Sequence, residues 1–285
     1  MKVSIAMIVK NEEECLGAAL ESVKDADEIV VVDTGSTDRT MELANKYTSH
    51  TYTFPWVDDF SAARNYANSK CTGDWIFTLD ADHVLVNTIA ELRSICAHLD
   101  ELGERAGYVR AADSHWMAVL HKNDPSIKWM GACHEVLSVI PKTKTNLKMK
   151  IGRSKNHDID PKRNLRILLN EYNPKTNART LRNKFYLGRT FYEMGEFQSA
   201  VFWMKEYLKS ATWLPEKAEA FYVLACCLWQ LQKGDEARHC CMKAIEINAN
   251  MKKALLLMGQ MSWPRNAMAW NHYASMATNE DVLFT

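Results

Sequence analysis

Three aspartates in this chain have the surroundings that chemistry needs. Asp80 and Asp82 stand one residue apart in Phe77-Thr78-Leu79-Asp80-Ala81-Asp82-His83-Val84-Leu85, where they close an apolar run. Burying carboxylates costs several kcal/mol unless something pairs with them. Paired oxygen ligands of this kind suit a hard divalent cation, magnesium or manganese, that leaves positions open for substrate phosphates. A capped strand end, with both aspartates accepting backbone N–H groups, fits the same residues, and the motif alone does not separate the two. Asp33 ends a second apolar run, at Asp33-Thr34-Gly35-Ser36-Thr37-Asp38.

The elements that must carry these residues follow from periodicity. Val3–Val9, Glu28–Val32 and Trp75–Leu79 are short continuous apolar runs, as expected for strands buried on both faces. Helical spacing covers Asn11–Val23, with Leu16, Ala19, Leu20 and Val23 on one side. It also covers Met41–Tyr47 and Phe60–Ser69. Strand–helix alternation predicts a mainly parallel α/β sheet. Ligands of such sheets bind beyond the carboxyl ends of the strands, so Asp33, Asp80 and Asp82 are expected on one rim.

From about Asn164 the pattern is helical and repeats. Leu187-Gly188 is echoed by Leu224-Ala225 and Met258-Gly259, at spacings of 37 and 34 residues, and Ala200 is echoed by Ala237. Small residues at such points let the two helices of a hairpin approach closely, and a period near 34 is that of tetratricopeptide repeats. Gly195-Glu196 and Gly234-Asp235 fall at the expected turns. Lys184 stands where the pattern favours tryptophan, and the third repeat reads as cut short at Trp263-Pro264. The division is expected near Asp160-Pro161, giving domains 1–160 and 161–285.

Four blocks in the first half, VSIAMIVKNEEECLGAALESV, EIVVVDTGSTDRTMELA, FPWVDDFSAARNYA and GDWIFTLDADHVL, taken in this order, resemble family 2 glycosyltransferases of the GT-A fold. The whole is similar to the subgroup that joins this domain to tetratricopeptide repeats, bacteriocin S-glycosyltransferases among them. Trp129-Met130-Gly131-Ala132-Cys133-His134-Glu135 resembles that subgroup's His-Glu block, and Asn156-His157 with Pro161-Lys162-Arg163-Asn164 its His and Lys-x-Arg-Asn run.

The resemblance implies roles. Asp33 contacts the uracil or ribose of a nucleotide sugar, most simply a UDP-sugar. Asp80 and Asp82 bracket ribose and a manganese or magnesium ion, with Asp82 the direct ligand. His157 is a further metal ligand or diphosphate contact, and Arg64 orders the nucleotide or pairs with the Asp-x-Asp. Family membership implies inversion at the anomeric carbon, which requires a base for the acceptor's proton unless the nucleophile is already ionised. Glu135 is the first candidate and Asp113 the second, while His134 reads as an orienting residue. A structural salt bridge is the other reading of Glu135. The chain departs from the family at His83, where glutamate is usual. Trp116 and Trp129 flank the expected acceptor side, although tryptophans there are more often core. Lone histidines such as His50 and His121 read as surface.

The acceptor is less defined. Repeats point to a peptide or protein acceptor, or to a homodimer contact. Basic residues outnumber acidic ones thirteen to three between Lys142 and Lys184 in a chain whose total charge is zero. Such a cluster is also the footprint of a phosphate backbone, so a modified DNA base is an alternative acceptor, and a glycan or lipid a third. A nucleotidyltransferase lacks support because no glycine-rich phosphate loop stands near the amino terminus. An inactive repeat scaffold is opposed by the intact Asp33, Asp80, Asp82 and His157. The eight cysteines form no C-x-x-C pair, and the doublets Cys226-Cys227 and Cys240-Cys241 lie in apolar helical patterns. This reads as reduced core cysteine in a cytoplasmic protein. The amino terminus is too short in apolar residues for a signal peptide, and no apolar run reaches the roughly 18 residues of a membrane span.

Overall fold

A computed structural model describes residues 1–111, 115–152, 154, 160, 162–172, 180–262 and 264–277. Asp113 and His157 lie outside the described residues. The chain divides into two compact units, which meet in sequence between residues 161 and 162.

The first unit is built on an eight-stranded sheet of order β3-β2-β1-β4-β7-β6-β10-β5. Its first half is parallel: β1 (Val3–Val9) pairs with β2 (Glu28–Asp33) and β4 (Trp75–Thr78), and β2 with β3 (Thr51–Thr53). The second half is mixed. β7 (His115–Lys122) runs antiparallel to β4 and β6 (Ala106–Ala111), β10 (Thr143–Ile151) parallel to β6, and β5 (His83–Leu85) antiparallel to β10. A two-stranded ribbon, β8 (Trp129–Met130) and β9 (Val136–Leu137), stands apart from the sheet. Every residue of β2 and β4 is buried, which explains their unbroken apolar character. The helices α1 (Leu16–Val23), α2 (Thr40–Ala44), α3 (Phe60–Asn68) and α4 (Ile89–Glu101) cover the sheet.

Two helices are shorter than their periodicity predicts. α1 begins at Leu16 and not Asn11, because Asn11 takes a left-handed backbone at φ 53°. Its side-chain oxygen accepts the Thr37 N–H at 2.7 Å, a tie to another loop that local pattern cannot reveal. α2 stops at Ala44, where the Asn45, Lys46 and Tyr47 N–H groups turn back as a frayed cap. His121 does not lie on the surface. It is 1% exposed on β7, a strand between two others. Trp116 and Trp129 both belong to the core cluster.

The elements of the second unit are, among the described residues, all helices: α5 (Arg163–Glu171), α6 (Thr180–Glu193), α7 (Phe197–Leu208), α8 (Leu214–Gln230), α9 (Gly234–Ile247), α10 (Lys252–Met261) and α11 (Pro264–Met276). The expected α/β unit followed by a helical-repeat unit is therefore observed. Small residues mark the hairpin contacts. A Cβ on Gly188 would lie 2.9 Å from Met204 across the α6–α7 hairpin, and Ala200, Ala225 and Ala237 are fully buried. Gly195 turns the α6–α7 connection at φ 76°. The third repeat is not cut short. Pro264 opens α11, a position where its missing N–H costs no hydrogen bond. Among the described residues no helix is long and apolar enough to cross a membrane.

Candidate functional site

The rim is set by register. Val9 of β1 pairs with Asp33 of β2, and Ala6 pairs with Thr78 of β4, so all three strands finish on one side. The Leu79 N–H still bonds the Ala6 carbonyl at 3.0 Å, and the chain leaves the sheet at Asp80. Asp33 turns its carboxylate onto the Ser36 N–H at 3.0 Å, while Gly35 supplies the positive φ of 108° that this turn requires.

α3 brings a cation to the rim. Asp59 caps the helix by accepting the Ala62 N–H at 2.9 Å, and Arg64 follows one turn later. The same helix grips residues 129–135. The Asn65 side chain accepts the Trp129 N–H and donates to the Trp129 carbonyl, both at 2.9 Å. The Phe60 N–H bonds the Ala132 carbonyl at 2.9 Å, and the Ser61 hydroxyl donates to the Gly131 carbonyl. Gly131 and His134 both have positive φ, 100° and 52°, and His134 is the non-glycine of the two. Left-handed backbone at a non-glycine residue is strain that surrounding contacts must hold, and it clusters at functional sites.

Arg64 joins the two sides of the site. Its Nη2 lies 2.9 Å from Asp80 Oδ1, and its Nε donates to Glu135 Oε1 at 2.6 Å. Its guanidinium also covers the Trp129 ring, 5.3 Å from the centroid. Burial opposes the charge of Arg64, but the carboxylates of Asp80 and Glu135 outweigh it and push its pKa up. Arg64 is 11% exposed and Glu135 12%, so this is a desolvated pair, whereas Asp80 is a third exposed.

His83 sits between the two carboxylates of the Asp-x-Asp. Its Nδ1 lies 3.9 Å from Asp80 Oδ2 and its Nε2 3.7 Å from Asp82 Oδ1, both beyond hydrogen-bond length. β5 fixes the ring by pairing His83 with Ile151 of β10. Asp82 Oδ2 accepts the Ser154 N–H at 3.1 Å. Asp80 Oδ2 and Asp82 Oδ1 thus face a common imidazole, and the hard oxygen donors fit magnesium or manganese. Among the described residues no three His, Cys, Asp or Glu side chains form a complete ligand set.

A cavity of about 220 Å3 lies against this network. Arg64, Thr78, Asp80, His83, His134 and Glu135 supply its polar lining, and Met117, Val119 and Trp129 belong to its apolar wall. Of the residues singled out from sequence, Arg64, Asp80 and Glu135 converge here. Asp82 contacts the network through His83, and Asp33 lies on the same rim but outside the cavity lining. Asn65 and the strained His134 backbone were not anticipated as supports, since both act through residues about 65 positions away or through backbone geometry. Lys144, Lys148 and Lys150 stand on the exposed side of β10, alternating with buried Thr145, Leu147 and Met149, and exposed Lys142 immediately precedes the strand. Lys144 covers Trp116 at 5.0 Å from the ring centroid.

Residues 4–104 match glycosyl transferase family 2, and residues 218–251 match a tetratricopeptide repeat. Residues 4–104 are thus similar to glycosyl transferase family 2, and residues 218–251 to a single tetratricopeptide repeat. The chain is 40% identical over 145 residues to a TPR repeat-containing protein of Synechococcus elongatus, covering 48% of this chain and 35% of that protein. It is 31% identical over 125 residues to an uncharacterized glycosyltransferase of Rickettsia conorii, covering 43% of this chain and 42% of the relative. The chain therefore spans roughly two-fifths or less of the length of these relatives. Among solved structures, residues 1–349 of S. aureus TarS with UDP-GlcNAc align at a TM-score of 0.45 and 13% identity, over 97% of this chain and 90% of that one.

Proposed function

We propose that this protein is a metal-dependent, inverting glycosyltransferase that moves a sugar from a UDP-linked donor to a peptide or protein acceptor. Residues 1–160 form the catalytic domain and residues 161–285 the repeat domain. The observation that carries the reading is the convergence of Asp80, Arg64 and Glu135 on one cavity at the carboxyl ends of parallel strands.

Asp33 receives the uracil or ribose, and Asp80 the ribose edge. Asp82, with Asp80 and His157, would hold a manganese or magnesium ion. When bound, that cation supplies Lewis-acid stabilisation of the departing diphosphate. Arg64 holds the Asp80 and Glu135 carboxylates in fixed orientation before substrate arrives, and such preorganisation removes reorganisation from the reaction. Glu135 takes the acceptor's proton as the acceptor atom bonds to the anomeric carbon and the bond to the diphosphate oxygen breaks on the opposite face. Its Oε1 is occupied by Arg64, so proton acceptance falls to Oε2. Asp113 is the second candidate for this step. Trp129, stacked under Arg64, keeps the guanidinium from swinging toward solvent.

Helical repeats present extended surfaces to peptides, which supports the acceptor class and also a homodimer contact. The exposed lysines of β10 support a second acceptor, a modified base in nucleic acid. Binding of single-stranded DNA at low salt, lost at high salt, separates the two. Eight free cysteines, seven of them buried, support a cytoplasmic location.

A thermal-shift panel of nucleotide sugars, with and without manganese, tests the reading. UDP-sugars should raise the melting temperature only with manganese present. If no nucleotide sugar shifts it under either condition, the reading is wrong.

A further inference from the structure

Asp82 is approached by the chain that follows β10. The Gly152 N–H donates to the Asp82 carbonyl at 2.7 Å, and the Ser154 N–H donates to its Oδ2. The approach is so close that a Cβ on residue 152 would lie 2.5 Å from the Asp82 carbonyl oxygen. Only glycine permits it.

Ser154 is buried, and its hydroxyl points away from Asp82. It donates to Glu12 Oε1 at 2.8 Å. The other oxygen of Glu12 accepts from the Cys15 thiol at 2.9 Å. The Glu12 N–H donates to the Thr40 hydroxyl at 2.7 Å, and that hydroxyl donates to Asp38 at 2.5 Å. The neighbouring Asn11 is bonded to Ser36 and Thr37 in the loop that begins at Asp33. A continuous set of hydrogen bonds therefore runs from the Asp33–Thr40 loop, through Glu12 and Ser154, to the carboxylate of Asp82. Four segments more than 20 residues apart in sequence meet in it.

We propose that Ser154 and Glu12 are positioning residues that clamp Asp82, so that its Oδ1 faces the cation site while Oδ2 is held by main chain. The inference rests on the reading of Asp82 as a metal ligand. The physical reason is that a carboxylate with both oxygens free samples several rotamers, and a ligand must be fixed before it binds. The main-chain bond alone cannot do this unless residue 154 is itself fixed, and the Ser154 hydroxyl to Glu12 bond fixes it. Partners that orient metal ligands typically change metal affinity by 10–100-fold when removed. Glu12 belongs to the first strand's exit loop, so the clamp also ties the nucleoside side of the rim to the metal side.

The test is calorimetric titration of manganese into the full chain with UDP present, together with melting temperatures. Ser154→Ala and Glu12→Ala should each weaken manganese affinity by about tenfold, with melting temperatures near that of the parent. Ser154→Thr, which keeps the hydroxyl, should restore affinity. The double variant should be no weaker than either single one, because both remove the same bond. In donor hydrolysis, Ser154→Ala should raise the manganese concentration needed for half-maximal rate and leave the saturated rate close to the parent's. Parent-like affinity in Ser154→Ala, where Asp82→Ala has lost binding, would overturn the clamp alone. Parent-like affinity in Asp82→Ala would overturn the donor-site reading and the clamp with it. A fall in melting temperature with no rescue by Ser154→Thr would make Ser154 a folding residue and overturn the clamp as well.

Discussion

Asp80 and Asp82 are separated by one residue, yet opposite sides of the site hold them by different forces. On the α3–β8 side, Asp80 is bound by charge: Arg64 bridges it to Glu135 and lies over Trp129. On the β5–β10 side, Asp82 is bound by main chain, through the Ser154 and Gly152 N–H groups. A desolvated ion pair is costly to break because one partner leaves the other uncompensated. Removing a carboxylate that accepts a single backbone N–H leaves one neutral donor without its partner, about 1–3 kcal/mol, and strands no charge. The difference places the larger contribution to stability at Asp80 and its ion pair, and the smaller at Asp82.

Arg64→Met should break the comparison most severely. It leaves Glu135 buried beside Asp80 without a cation, and should cost about 3 kcal/mol, the low end for a buried pair because Asp80 is partly exposed. Denaturant unfolding measures it. Adding Glu135→Gln should recover part of the loss, since one of the two stranded charges is gone.

Next in size is Glu135→Gln alone. The amide still accepts from Arg64 but cannot take a proton, so transfer should slow by about 10²-fold while donor affinity persists. Equal loss of donor binding and turnover would make Glu135 part of the donor site or of the scaffold.

The smallest expected effect sharpens the contrast through pH. His121 lies behind the α3–β8 side, with its Nδ1 2.8 Å from the Lys122 carbonyl and its Nε2 3.3 Å from Asn68. Burial pushes its pKa down to about 4, against the effect of the Lys122 carbonyl. The unfolded chain therefore takes up this proton first as pH falls. The associated stability is complete above the ordinary histidine range and is lost between about pH 6.5 and pH 4. At pH 5 the loss should reach about 2 kcal/mol. Unfolding free energies at neutral pH and pH 5 check it, and His121→Gln should lose correspondingly less over the same interval.

Much of this was legible in sequence, for reasons that particular residues illustrate. β1, β2 and β4 are buried on both faces, so their apolar runs read directly as strands, and the aspartates that end them mark the rim. α3 was legible from the helical spacing of Phe60–Ser69, while the Asp59 cap that fixes its start is a finding of the structure. The pairing of Arg64 with Asp80 followed from the family resemblance. What was not legible depends on contacts distant in sequence. Asn11 leaves the helical pattern because Thr37 holds it, and His121 is buried because strands from two other segments flank it. Ser154 carries no signal of its own, since its partner Glu12 stands 142 residues earlier. Pro264 was read as a break, whereas at a helix start it is compatible with continuation.

The most direct test of the account compares manganese binding by the parent protein and by Asp82→Ala, titrated calorimetrically with UDP present. The account predicts that the variant keeps its fold, with unfolding free energy within about 1 kcal/mol of the parent, and loses manganese-dependent UDP binding. Unchanged manganese and UDP affinity in a folded Asp82→Ala protein would contradict it.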